Sequence, residues 1–516
     1  LLVSTARERT KSILEKHHLR NDISIDSVEF HSFSKLLLQY VSSNEKHYLE
    51  KDRVAFSKFR KWFHSGVGRT GDMTTELAWH IIRSIIKGRI QNNDDLKKVD
   101  ISNYNSLPRK ARDVTEKQYK YVLDSVWPNY CKWMREEKYW DEQDLALEVL
   151  SIIESRISDD NWPKPYAEMF VDEAQDLTMI EYKILMHLCG DGAREEGIAL
   201  TLAGDPLQTI NPTGFRWEAT KSLIYESTEN KRSVTLHTLR KNWRSDFRIA
   251  AYTNSIQKSR NFHIGEKGKE RDEVAMGNDG DYPKIITITE GIEKKLKEVL
   301  MNENLPAKSA IIVWPEDKHR IEQFLNDNKN IIAPEKQDCD LDVYSINDAK
   351  GMEYRLVILF KIGSDSDVNK WIRNIVLNDD GKYESLGEES SDLIPLLYFL
   401  NRFYVSGTRA MDYLIILDDE EAVSQFWKPL DEEWRDENDV PHQLLQFSDD
   451  DEDSIGILNS EIFDSTLYAT DEQKREWAQD LYEKAKEQSN LTLMIRARRH
   501  FENIDGAKQE HTRCNE

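Results

Sequence analysis

Cysteine is scarce in this chain of 516 residues, and the four present are scattered. Cys131, Cys189, Cys339 and Cys514 form no CxxC pair. That argues against a zinc ribbon or a disulfide framework and fits a reducing compartment, the cytoplasm or a nucleus. Long apolar runs are missing too. None reaches the length of a membrane span, which excludes an integral helical membrane protein. The 13 histidines show no metal-ligand spacing, and His17 and His18 read as surface residues. No segment repeats at a fixed period. A phosphate-binding loop of the form GxxxxGKS/T is absent.

An excess of positive charge is also lacking. The chain has 71 Lys and Arg against 94 Asp and Glu, a net charge of -23. Such a chain is not an obvious nucleic-acid binder. The total misleads, because the stretch from Asp418 to Asp453 is dense in acid. Binding of a polyanion depends on local patches rather than on the sum.

What is present argues for folded domains. The 13 Trp, 20 Tyr and 17 Phe are too many for a disordered protein. The length exceeds one compact core, so two to four domains are expected. The first residue is Leu1, and LLVST reads as a strand already under way, so the true N-terminus is expected upstream.

Residues 1–44 alternate strand and helix. Residues 45–165 are helical by pattern, with ELAWHIIRSIIKG and KQYKYVLDSVWPNYCKWM as the clearest amphipathic stretches. Their tryptophans read as core rather than as a binding stripe. EMFVDEAQD, IALTLAGD and VTLHTL then read as strands, followed by PKIITI, AIIVW, CDLDVYSI, YRLVILF and YLIILD. Strands alternating with helices imply an α/β fold with parallel sheets. Residues 418–465 read as an acidic linker, and 466–516 as two helices, a candidate contact for a protein partner.

Five elements carry chemistry. In Phe170-Val171-Asp172-Glu173-Ala174-Gln175-Asp176, an apolar strand delivers two adjacent carboxylates at its C-terminal end. In a parallel sheet that edge binds ligands, and such a pair suits a magnesium-nucleotide. An acid-rich helix start is the plainer reading of the same residues. Leu202-Ala203-Gly204-Asp205-Pro206-Leu207-Gln208 again follows a strand, and the Gln208 amide suits sensing of a phosphate or a water. Leu239-Arg240-Lys241-Asn242-Trp243-Arg244-Ser245 offers an arginine fork and a flat aromatic face. Asp348-Ala349-Lys350-Gly351-Met352-Glu353-Tyr354 has a glycine that permits close backbone approach. Asn401-Arg402-Phe403-Tyr404-Val405-Ser406-Gly407-Thr408-Arg409-Ala410 adds a second phosphate-binding candidate. Each alone could be a turn or a capped helix.

In this order, DEAQD, GDPLQ, NWRS, AKGMEY and YVSGTRA resemble motifs II to VI of the UvrD/Rep-like superfamily 1 DNA helicases. LLVSTAR and EFHSF resemble motifs Ia and Ib. The resemblance runs from Leu1 to about Leu417 and implies two RecA-like domains, with ATP and Mg²⁺ bound in the cleft between them. The first would comprise 1–44 and 166–235, with 45–165 as a helical insertion; the second would comprise 236–417. By the resemblance, Asp172 ligates Mg²⁺ and Glu173 activates the hydrolytic water. Gln208 couples the γ-phosphate to the DNA groove, and Arg244 and Arg409 bind the γ-phosphate. Trp243 stands where the family usually stacks a Tyr on adenine, and Gly351 and Glu353 line the phosphate and ribose region. Thr5, Arg7, His31, Phe215, Trp217 and Asn347 match positions that touch DNA.

The implied activity is ATP-dependent 3′-to-5′ translocation or unwinding on single-stranded or partly duplex DNA. The missing phosphate loop is expected upstream of LLVST, so the sequence from Leu1 alone is expected to be inactive. A non-catalytic nucleic-acid-binding or scaffold protein with a degenerate helicase fold is the alternative, and an RNA-directed enzyme of the same fold is a third reading. Glu29 and Asn347 depart from the usual Thr and His. The spacing from Asn254 to Ser345 leaves little room for a large accessory domain, as in a compact subgroup of the family.

Overall fold

The computed structural model describes residues 28–41, 48–67, 73–89, 96, 98–107, 112–159, 162, 164–190, 198–227, 234–263, 273–275, 280–288, 292–300, 308–315, 317–332, 341–364, 393–427 and 446–448. Thr5, Arg7, the LLVST segment and the C-terminal helices expected over 466–516 lie outside the described residues. The chain divides into two compact units. Unit 1 holds Leu1–Lys241, Thr253–Val274 and Ser366–Ser406; unit 2 holds Asn242–Tyr252, Ala275–Asp365 and Gly407–Glu516. No helix among the described residues is long and apolar enough to cross a membrane.

Unit 1 carries the helical stretch. Helices Phe56–Trp62, Thr75–His80, Glu116–Tyr121, Trp127–Glu136 and Glu142–Ser158 follow the amphipathic pattern. Thr75–His80 runs on through wider π-type turns over Ile81–Lys87, all of them buried. The aromatic residues make this core, as the sequence suggests. Phe59 is wholly buried, with ring centroids 4.6 Å from Trp79 and 5.7 Å from Tyr130. Burying one such side chain contributes roughly 2–3 kcal/mol.

Two strands in this unit, β1 (Met169–Val171) and β2 (Leu200–Leu202), pair in parallel. The register sets Val171 opposite Leu202, so both chains leave the sheet at the same edge. Phe170 on β1 is 77% exposed, unlike a strand covered on both faces. Between the strands runs the helix Met179–Leu188. It starts with a capping box in which Thr178 N–H and Oγ1–H both donate to Glu181. The expected VTLHTL strand does not form. Residues 234–240 are irregular, and Leu239 is 94% exposed.

Two-residue strands, β3 (Lys241–Asn242) and β4 (Val274–Ala275), follow in the chain. Unit 2 is built on a six-stranded sheet of β5 (Lys284–Ile288), β6 (Ser309–Val313), β7 (Leu341–Ser345), β8 (Tyr354–Phe360), β9 (Ala410–Asp419) and β10 (Gln446–Ser448). Its order is β10-β5-β9-β8-β6-β7, and every neighbouring pair is parallel. Continuous apolar runs such as LVILF suit strands buried on both faces. Ile311, Ile358, Phe360 and Ile415 are completely buried in this core. An α/β fold with parallel sheets is thus observed. The link from β7 to β8 turns at Gly351, whose φ of 79° strongly favours glycine.

Candidate active site

The carboxylate pair sits where the sequence places it, at the C-terminal end of β1. Glu173 adopts a left-handed conformation with φ 54° and ψ 38°. That is uncommon for a residue with a Cβ and is retained at sites that need it. The turn lets the Glu173 N–H donate to Asp172 Oδ1 at 2.9 Å. Asp172 stays exposed, while the following turn, Ala174–Asp176, dives into the core.

The second motif is stitched to the first. Ala203 N–H donates to the Val171 carbonyl and Ala174 N–H to the Ala203 carbonyl, each at 2.8 Å. Gln175 Nε2 donates to Glu173 Oε2, and Gln175 Oε1 accepts the Asp205 N–H at 3.0 Å. Asp205 caps the turn Pro206–Gln208 through Leu207 N–H at 3.0 Å, and Gln208 Nε2 donates to Asp205 Oδ2 at 3.1 Å. Burial pushes the Asp205 carboxyl above its ordinary value, and the nearby Glu273 and Glu173 push the same way.

The aromatic pair follows directly. Thr213 Oγ1 donates to the Gln175 carbonyl at 2.7 Å and accepts the Phe215 N–H at 3.3 Å. Phe215 and Trp217 meet edge to face with centroids 4.9 Å apart, both half-buried. Arg83 holds the same loop from the helical part, donating Nη1–H to the Pro212 carbonyl at 2.9 Å and Nη2–H to Glu142 at 2.6 Å.

In unit 2 the other three motifs meet. Arg244 Nε–H donates to Glu353 Oε1 at 2.8 Å, and its Nη1 lies 3.4 Å from the Thr408 carbonyl. The Asn242 carboxamide accepts the Arg244 N–H at 2.8 Å and fixes the turn after the half-buried Trp243. Arg409 is 1% exposed. Its guanidinium donates to the Met352 carbonyl at 3.2 Å and to Thr408 Oγ1 at 2.9 Å, next to Gly351 in the chain. Arg244, Glu353 and Arg409 are therefore brought together.

Two expected DNA contacts have other partners or settings. The His31 ring nitrogen lies 2.9 Å from Glu29, which also accepts from Tyr166 at 3.3 Å. The His31 bond holds the Glu29 carboxyl below its usual range. Asn347 is exposed in the turn after β7, beside Asp348, which binds Lys318 at 2.8 Å.

Asp172 offers a hard, exposed oxygen donor, the kind that Mg²⁺ takes together with waters and substrate phosphates.

Residues 3–233 match the family described as the UvrD/REP helicase N-terminal domain. Over that segment the chain resembles a UvrD-like helicase domain. No curated protein matches the chain. A solved C-terminal domain of a possible DNA helicase from Lactobacillus strain WCFS1 is 16% identical, covering 40% of this chain and 98% of that one, with a TM-score of 0.21. That likeness adds nothing to the family match.

Within residues 3–233, Gln175, Gly204, Asp205 and Arg83 have no role that the sequence alone assigns. The first three lie inside the quoted motifs, so their position was visible. Their bonds were not, because no spacing rule says which way a buried amide points. Arg83 reads as one more basic residue on an amphipathic helix.

Proposed function

We propose that the chain is an ATP-dependent DNA translocase or helicase that moves 3′ to 5′ on single-stranded DNA, built on two RecA-like domains. The observation that carries the reading is the direct bonding of DEAQD to the GDPLQ turn. It places two carboxylates and the Gln208 segment at one edge of a parallel sheet, within a UvrD-like domain.

Asp172 would hold Mg²⁺, which would neutralise phosphate charge when bound. Glu173 accepts a proton from the attacking water. Its carboxylate is held by a hydrogen bond from Gln175 Nε2. Gln208, tethered through Asp205, positions that water or reads the terminal phosphate. Arg244 and Arg409 supply the phosphate-binding forks, and Trp243 the stacking face for the base. Engaging the nucleotide requires Arg244 to share or leave Glu353, and Arg409 to leave its backbone acceptor. Phe215 and Trp217 stack on nucleotide bases, a contact that tolerates any base sequence.

Glu173→Gln tests the reading. The substitution removes the general base and keeps the shape, so turnover should vanish while nucleotide still binds. Retained turnover rejects the role of Glu173.

A further inference from the structure

We propose that Gln175 is a positioning residue that couples the base Glu173 both to the Gln208 turn and to the aromatic loop. This rests on the ATPase reading above and names how the site is held and linked to its nucleic-acid side.

The Gln175 side chain is 0% exposed. A buried amide is retained when its polar ends are satisfied, and here both are. Nε2 donates to the Glu173 carboxylate, and Oε1 accepts from the Asp205 N–H at 3.0 Å. Among side chains of this length, only a carboxamide offers a donor and an acceptor at one planar end. Glutamate would lose the donor, leucine would lose both, and asparagine is one methylene short.

Gly204 shows that the site is built around this amide. A Cβ at that position would lie 2.6 Å from Gln175 Oε1, and 3.1 and 3.2 Å from the Gln175 and Ala174 backbone nitrogens. Contacts at 2.6 Å do not occur without displacement, so any larger residue at 204 pushes the amide off Asp205.

The same residue reaches the aromatic loop through its backbone. Its carbonyl accepts from Thr213 Oγ1 at 2.7 Å, and that oxygen accepts the Phe215 N–H at 3.3 Å. A shift of the stacking loop is thus relayed to Gln175 and from there to the Glu173 carboxylate. Neither Glu173 nor Phe215 needs to touch the other. Such a path is a physical connection, and its coupling is established by measurement rather than by proximity.

The test uses the full gene product with Gln175→Leu, Gly204→Ala and the double variant. Steady-state ATP turnover is read with and without single-stranded DNA. Binding of a fluorescent ATP analogue and backbone amide exchange at Asp205 and Phe215 are read alongside. Gln175→Leu should lower DNA-stimulated kcat by about 10- to 100-fold, the scale expected when a catalytic group is misplaced by an ångström. Its KM for ATP and its analogue affinity should stay within about twofold, since it does not touch nucleotide. Gly204→Ala should lower kcat in the same direction and add nothing in the Gln175→Leu background, because the Asp205 contact it breaks is already gone there. Exchange at Asp205 should rise in each variant.

Unchanged kcat and DNA stimulation in Gln175→Leu overturns the proposal, as does multiplication of the two effects in the double variant. A parallel loss of kcat, nucleotide affinity and melting temperature also overturns it, as plain unfolding. If Gln175→Leu does not fold, Gly204→Ala decides by the same criteria. A wild-type protein without turnover fails the ATPase reading itself and takes this role with it. Turnover that persists in wild type but is insensitive to Gln175 fails the positioning role alone.

Discussion

Arg244 Nε stands 2.8 Å from Glu353 Oε1, a pair formed by residues 109 positions apart. Both side chains are about two-fifths exposed, so the pair contributes at most about 1 kcal/mol to stability. Its importance is geometric, since Glu353 holds the guanidinium plane in one orientation. Arg244→Lys keeps the charge and loses the fork. We expect kcat for ATP to fall about 100-fold while the melting temperature moves by less than about 2 °C. Steady-state kinetics and a thermal melt check this. A kcat unchanged in the lysine variant removes Arg244 from the phosphate site.

The parallel sheet of unit 2 was legible because buried strands advertise themselves. AIIVW and YRLVILF are mostly apolar runs, and both supply strands of the central sheet, Ser309–Val313 and Tyr354–Phe360. VTLHTL has the same β-branched character and is irregular, with Leu236 and Leu239 exposed. Local pattern proposes a strand, while pairing and cover decide it. The carboxylate pair at the end of β1 was legible for the reason that apolar residues stop where Asp172 begins. The pairings of Arg244 with Glu353 and of His31 with Glu29 were not. Charge pairing across a fold depends on side-chain direction, which neither composition nor spacing encodes.

Phe215 and Trp217 are expected to carry single-strand affinity without touching nucleotide. Replacing either by Ala should weaken binding of a single-stranded oligonucleotide by roughly 1–3 kcal/mol, about 5- to 150-fold. The salt dependence of binding should stay the same, since no phosphate contact is removed. KM for ATP measured without DNA should not move. Fluorescence anisotropy at several salt concentrations reads all of this except KM. Wild-type affinity in both variants would mean that the edge-to-face pair only packs the core.

Glu181 gives the N-terminal unit a pH dependence. Burial lifts its carboxyl from 4.5 to about 7, against the opposing pull of Arg83 and with Glu142 adding to the rise. The folded protein therefore holds this proton more tightly than the unfolded chain. The contribution of Glu181 to stability is full below about pH 4.5 and is lost as pH rises through about 7. The loss is on the order of 3 kcal/mol. Glu181→Gln still offers an acceptor to Thr178 N–H and does not titrate. Urea unfolding at pH 5 and pH 8 should show wild type losing stability relative to this variant. Parallel behaviour of the two proteins would remove Glu181 as the source.

If the two bonded motifs serve a DNA-driven ATPase, ATP turnover by the full gene product, with and without single-stranded DNA, is the most direct measurement. Turnover that rises on adding single strands, and disappears in Glu173→Gln, is the expected result. Turnover indifferent to DNA, or none at all, would contradict it.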